Sequence, residues 1–235
     1  MTTRVSYELS GGIATITMDD GKANVLSLAM QADINAALDQ AQQDGAIVIL
    51  TGREGRFSGG FDLAVFAAGG PEAPDMLRGG FELSARMLSF PYPVVVACTG
   101  HAIAMGAFLL LSGDYRIGAA GAFKIQAIEV QIGMTMPFTA LEICRQRLAT
   151  SHYDRAVVLA ETFTPEGAID AGFLDEVVDP SELAVAARSR AEAFTLLNLE
   201  AHAATKLRAR EHALTAIRAA IEVDDADVRA MLPTP

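Results

Sequence analysis

The sequence predicts an α/β fold, and three features carry that prediction. Ala46–Leu50 and Val94–Cys98 are continuous apolar runs of strand length. Such runs suit parallel strands covered on both faces, because no polar side has to meet water. Segments with apolar residues at helical spacing lie between the strand candidates, and the alternation persists to about Val178. That alternation is the pattern of a sheet flanked by helices.

The elements follow in order. Val5–Leu9 and Ile13–Met18 flank Ser-Gly-Gly and read as a hairpin. Ser27–Asp44 places Leu28, Ile34, Ala37, Leu38 and Ala41 on one helix face. The Gly- and Pro-bearing stretch Ala67–Pro74 reads as one surface loop. Met76–Leu88 reads as a helix that ends before Phe-Pro-Tyr-Pro, where two prolines block continuation. Pro137–Leu148 and Ser151–Ala160 are helical. Thr164 caps a further short helix with Pro165 at its first position, and Glu176–Val178 is a short strand. From Ser181 onward the pattern is helical, which divides the chain into a core (1–180) and a helical cap or oligomerisation region (181–235).

Composition narrows the function. A formal net charge of −11 disfavours nucleic acid, whose phosphates require a basic surface. No apolar run approaches the roughly 18 residues of a membrane span. The start of the chain lacks the basic-then-apolar pattern of a secretion signal. Cys98 and Cys144 have no metal-ligand spacing, so they read as reduced thiols of a cytoplasmic protein with no metal site. The phosphate-loop and dinucleotide glycine patterns are missing, Ser58 is in no nucleophile elbow, and none of the four histidines lies in a recognisable motif.

Two small-residue turns remain, each directly after a strand candidate: Gly52–Leu63 (GREGRFSGGFDL) and Thr99–Phe108 (TGHAIAMGAF). The carboxyl ends of strands are where open α/β sheets keep their ligand sites. Tight packing alone would also explain such turns. A chemical role needs only backbone: two amides from separate strand ends can converge on one carbonyl oxygen and stabilise negative charge there.

These blocks, with EVQIGMTMP and AIDAGFLDEVV in the same order, resemble the enoyl-CoA hydratase/isomerase (crotonase) superfamily from about Val5 to Val178. The resemblance implies a crotonase (ClpP-like) fold of repeated ββα units forming two sheets. It also implies a C-terminal helical region that trimerises, giving a homotrimer or dimer of trimers. The implied substrate is an acyl-CoA thioester; coenzyme A arrives as part of it, so no separate cofactor is expected. The family's oxyanion amides carry over to Gly59 and to Met105, where Met stands in a glycine slot and its side chain must point away from the thioester. Substrate and CoA contacts carry over to Ala23, Val25, Ser58, Gly60, Phe61, Asp62, Leu63 and Phe108. Asp62 reads as a turn-stabilising residue. Lys206 reads as part of a solvated helix face, with a CoA phosphate as the alternative contact.

Hydratases of this superfamily use two glutamates. Here the first position is Phe108, and only the second is filled, by Glu129 in register with Gly133. The apolar first site and a longer approach to the second are similar to 3,2-enoyl-CoA isomerases. Moving a double bond from C3–C4 to C2–C3 requires removing one proton and returning one, which a single carboxylate can do in turn. Two alternatives stay open: a hydratase with a degenerate first site, and a non-catalytic acyl-CoA-binding homologue. Acyl chain length would be set by the Phe66–Pro74 segment with Phe108, Met134, Met136 and Phe138.

Overall fold

The computed structural model describes residues 4–68 and 70–231. Its larger sheet has six strands: β1 (Val5–Ser10), β2 (Ile13–Met18), β3 (Ile47–Thr51), β5 (Val94–Cys98), β7 (Tyr115–Ala119) and β9 (Glu176–Val178), in the order β1-β2-β3-β5-β7-β9. The first pair is the antiparallel hairpin; every later pair is parallel. A smaller parallel sheet joins β4 (Gly55–Ser58), β6 (Gly100–Ile103) and β8 (Ile125–Gln126).

The apolar runs of β3 and β5 are buried on both faces because alternate side chains enter different cores. Val48, Leu50, Val94 and Val96 face the main core. Ile47, Ile49, Val95 and Ala97 face a second, smaller one, which α8 (Leu183–Phe194) closes with Leu183, Ala187 and Ala191. Each fully buried Val, Leu or Ile contributes about 1.5–3 kcal/mol relative to exposure, so neither face can be left uncovered.

The remaining helices are α1 (Leu28–Gln43), α2 (Leu63–Ala68), α3 (Glu72–Ser89), α4 (Met105–Leu111), α5 (Phe138–Arg145), α6 (Thr150–Val157), α7 (Pro165–Ala171), α9 (Leu199–Ala209) and α10 (Glu211–Ala230). Ser27 caps α1, its hydroxyl accepting from the Met30 amide. Thr164 caps α7 in the same way.

Two expectations are corrected. The Ala67–Pro74 loop is mostly helix: α2 runs to Ala68 and α3 starts at Glu72, with Gly69 outside the described residues. Pro74 sits in the first turn of α3, where its missing N–H has no helical partner to lose. The two Gly-rich segments are not simple turns after β3 and β5 but contain strands of their own, β4 and β6. Their short, Gly-bearing sequences have weak strand propensity, and pairing across the small sheet overrides it.

The C-terminal helices are locked to the sheets. Asp114 accepts from the Val94 amide (2.7 Å), from Lys206 Nζ (2.7 Å) and from Arg210 (2.8 Å). Lys206 is therefore buried, at 6% exposure, and neither lies on a solvated face nor is free for a CoA phosphate. Burial pushes its ammonium down to about 8, against the pull of Asp114. Farther along, Asp224 of α10 accepts from the Phe138 and Thr139 amides (2.9 and 2.8 Å), satisfying the start of α5.

Removing one partner of a buried charge cluster leaves the others uncompensated. Asp114→Ala is expected to destabilise the fold by about 3–5 kcal/mol, read as a lower midpoint in urea unfolding. A loss below about 1 kcal/mol, the range of surface pairs, would show that the cluster contributes little.

Candidate active site

Helix α4 is apolar throughout, and every residue from Met105 to Leu111 is buried. It offers no catalytic side chain to the site; what it offers is its position. The turn after β4 and the turn after β6 meet backbone to backbone. A Cβ on Gly60, whose φ is +89°, would fall 2.8 Å from the Ile103 carbonyl oxygen and 2.9 Å from Ala104 Cβ. A Cβ on Gly106 would fall 2.4 Å from the Ser58 carbonyl oxygen. Only glycine fits at either position. Ala104, between them, takes φ +51° and ψ −125°, a conformation that glycine favours and other residues hold at a cost of about 1–3 kcal/mol.

The hydrogen bonds of the first turn correct the expected oxyanion donor. The Gly59 amide donates to the Ala23 carbonyl (2.8 Å), and the Gly60 amide to the Ser58 hydroxyl (3.2 Å). Gly59 is therefore committed within the fold. Among the described residues, the Phe61 amide is the first in this turn that donates to no partner, and the Met105 amide across the contact also donates to none. The Met105 side chain is fully buried in the main core, away from the cavity.

Ser58 is corrected as well. It is fully buried, its hydroxyl donates to the Asn24 carbonyl (2.7 Å), and it holds the turn rather than facing a ligand. Ala23 and Val25 lie half-buried on the segment laid against this turn, where the Leu26 amide donates to the Gly60 carbonyl (2.8 Å). Asp62 accepts from the Ala64 amide (3.0 Å), stabilising the entry to α2, and Leu63 is 63% exposed.

Sequence reasoning missed Asn24. It is buried at φ +50°, and its amide donates to the carbonyls of Met18 (2.9 Å) and Phe57 (3.2 Å), tying the 22–26 segment to β2 and β4. The Asp-Asp-Gly-Lys-Ala-Asn run was the available signal: Asp20 accepts from the Lys22, Asn24 and Val25 amides, as turn-forming aspartates do.

Beside the two turns lies an apolar cavity of about 150 Å³. Phe61, Phe81 and Phe108 form one wall, with Phe61 edge-on to Phe81 (5.9 Å between centroids) and Phe81 tilted against Phe108 (6.5 Å). Glu129 opens a 3-10 turn (Glu129–Ile132) that Gly133 ends at φ +80°. The Gln126 side chain steadies this turn by donating to Gln131 and to the Ala160 carbonyl, each at 2.7 Å. Glu129 is buried at 6% exposure, and its Oε2 has no hydrogen-bond partner among the described residues. Burial pushes the carboxyl up to about 7, with backbone hydrogen bonding opposing the shift. Glu129 is the one titratable side chain lining the cavity among the described residues, and no histidine reaches it.

The sequence model of the enoyl-CoA hydratase/isomerase family matches residues 8–231. A probable enoyl-CoA hydratase of Rhodobacter capsulatus is 37% identical over 132 residues, which cover 55% of this chain and 51% of that relative, so that match spans about half of its length. The peroxisomal enoyl-CoA delta isomerase 2 of Arabidopsis thaliana is 31% identical over 168 residues, covering 67% of this chain and 70% of that one. Among solved structures, one Mycobacterium tuberculosis protein is described both as a probable enoyl-CoA hydratase and as an enoyl-CoA isomerase. Its two structures match with TM-scores of 0.93 and 0.92 at 54% and 53% identity. They cover 95% and 98% of this chain and 95% and 100% of the solved one. Relatives thus carry both reaction names, while the match along nearly the whole chain makes this protein a member of the enoyl-CoA hydratase/isomerase family with the crotonase fold.

Proposed function

We propose that the protein is a 3,2-enoyl-CoA isomerase in which Glu129 is the single acid/base. The observation that carries this reading is, among the described residues, a lone buried carboxylate in an apolar cavity beside two uncommitted backbone amides. The thioester oxygen of a 3-enoyl-CoA accepts from the Phe61 and Met105 amides. Glu129 removes a proton from C2, and the electron pair of that C–H bond delocalises through C3–C4 and onto the thioester oxygen. The protonated Glu129 then returns its proton at C4, the charge flows back, and the double bond lies between C2 and C3. Substrate and product are isomers, so no water or cofactor is consumed.

Hydration makes a different demand. A water would have to be held and aimed at C3, yet Phe108 occupies the position where a second carboxylate would hold it. The phenyl wall supplies no hydrogen bond and disfavours water at the reacting carbons. The same wall keeps the Glu129 carboxylate poorly solvated, which makes it a stronger base.

The first test pairs wild type and Glu129→Gln on trans-3-hexenoyl-CoA and crotonyl-CoA. Isomerisation by wild type is expected to fall by at least about 10²–10⁴-fold in the variant, the usual worth of a positioned base, with negligible hydration by either. Sustained hydration of crotonyl-CoA by wild type would replace this reading with the hydratase one. Acyl-CoA binding without either reaction would replace it with a binding protein.

Proton abstraction needs the ionised carboxylate, so kcat/KM is expected to rise with pH along a limb centred near pH 7. A flat profile between pH 5 and 8 would remove Glu129 from that step.

Stability has the opposite sign. The unfolded chain ionises this group at about 4.5 and the folded chain at about 7, so the folded state holds more protons between those values. Rising pH across that window therefore removes stability, on the order of 3 kcal/mol once both states are ionised. Glu129→Gln escapes this loss. In denaturant unfolding its advantage over wild type is expected to be larger at pH 8 than at pH 5, and an advantage independent of pH would contradict the burial effect.

A further inference from the structure

Gln126 closes β8 and is buried, at 3% exposure. Both halves of the proposed chemistry are fastened to it. Its backbone carbonyl accepts from the Ala104 amide (2.9 Å), and Ala104 directly precedes Met105, whose amide donates to no partner among the described residues. Its side-chain nitrogen donates to Gln131 Oε1, in the 3-10 turn that Glu129 opens, and to the Ala160 backbone carbonyl, each at 2.7 Å. That carbonyl can only accept, so it fixes which end of the Gln126 amide faces it. The 160–163 segment is a firm anchor, because Phe163 exchanges two backbone hydrogen bonds with Ile125, both at 3.0 Å.

The turn that carries Glu129 needs such a tether. Its own backbone bonds run from Ile132 to Ile128, from Gly133 to Val130 and from Met134 to Glu129, all inside the 128–134 segment. Among the described residues, the bond from Gln126 to Gln131 is the one hydrogen bond that joins this segment to the rest of the chain. Val130 and Ile132 are 44% and 48% exposed, so apolar packing of these two side chains adds little to the hold.

We infer that Gln126 is a positioning residue for the proposed reaction: its side chain holds the Glu129 turn in register with the oxyanion turn, which its backbone carbonyl holds at Ala104. This inference rests on the isomerase reading and deepens it. One carboxylate must reach C2 and then C4 of a thioester whose oxygen stays on the Phe61 and Met105 amides. A displacement of about 1 Å at such a base can cost about 10²-fold in rate. Gln126 sets that distance because it is tied to both turns at once. Substitution removes only the side-chain tether; the backbone bond to Ala104 needs no particular side chain.

The test measures kcat on trans-3-hexenoyl-CoA and, by calorimetry, affinity for saturated hexanoyl-CoA. The proteins are wild type, Gln126→Met, Gln131→Met, the double variant, Glu129→Gln, and Gln126→Met combined with Glu129→Gln. Methionine keeps the length of glutamine and removes its amide. Gln131 is exposed, so Gln131→Met cuts the tether from the surface even if Gln126→Met fails to fold. Each single tether variant is expected to lower kcat by about 10- to 100-fold, with hexanoyl-CoA affinity unchanged. The double variant is expected to be no slower than the slower single one, and Gln126→Met to add nothing to Glu129→Gln, because residues that act through one bond are not additive. Full kcat in Gln131→Met, losses that multiply in the double variant, or weakened hexanoyl-CoA binding in place of lost kcat would overturn the positioning role and leave the reaction standing. A wild type that binds hexanoyl-CoA without isomerising hexenoyl-CoA would overturn the reaction, and the positioning role with it.

Discussion

The site depends on one steric constraint, the direct contact of two backbone turns at the ends of β4 and β6. Gly60 lies against Ile103–Ala104 and Gly106 lies against Ser58, each closer than any side chain would allow. Much of the neighbouring structure enforces that contact. Asn24 and Ser58 pin the first turn from inside, the small sheet sets the register of the second, and Ala104 holds a strained conformation between them. The outcome, among the described residues, is a pair of amides without internal partners, from Phe61 and Met105, next to an apolar cavity. Uncommitted donors in such a place are costly unless something accepts from them, which is why they read as chemistry rather than packing.

The single carboxylate follows a related logic. An ionised group is expensive in an apolar cavity, and among the described residues Glu129 has neither a cation nor a side-chain donor to offset the loss of water. The fold tolerates it because the 3-10 turn that carries it is braced by Gln126 and closed by Gly133. Stability given up there is recovered elsewhere, in a sheet buried on both faces and in the Asp114 cluster that fastens α9 to the start of β5. The helical tail thus serves the core directly: α8 covers the sheet, and α10 packs against α3 and α5.

Much of this was legible in the sequence, and the misses share a cause. The buried strands β3 and β5, the helix α1 and the capped helix α7 follow from local patterns of apolar residues and, for α7, its Thr164 cap, and they formed as read. The strands β4 and β6 were read as turns because their propensity is weak and their partners are distant in sequence. Lys206 looked like an exposed helix charge because Asp114, 92 residues earlier, is invisible to any local pattern. Gly59 was read as an oxyanion donor because a motif shows which turn is involved but not which of its amides the fold has already used, and the Gly59 amide donates to the Ala23 carbonyl.

The sequence by itself determined the α/β class, the order of its main elements, the glycines that permit close approach, and the pairing of a lone Glu129 with an apolar Phe108. The class, the element order and the glycines are properties of residue type and short-range spacing; the pairing of Glu129 with Phe108 came from the family resemblance. Tertiary structure alone decided which backbone amides stay free, how far Glu129 is desolvated, and where Lys206 finds its carboxylate. Those properties arise from contacts between segments far apart in the chain, and burial and hydrogen-bond commitment exist only once such segments have packed.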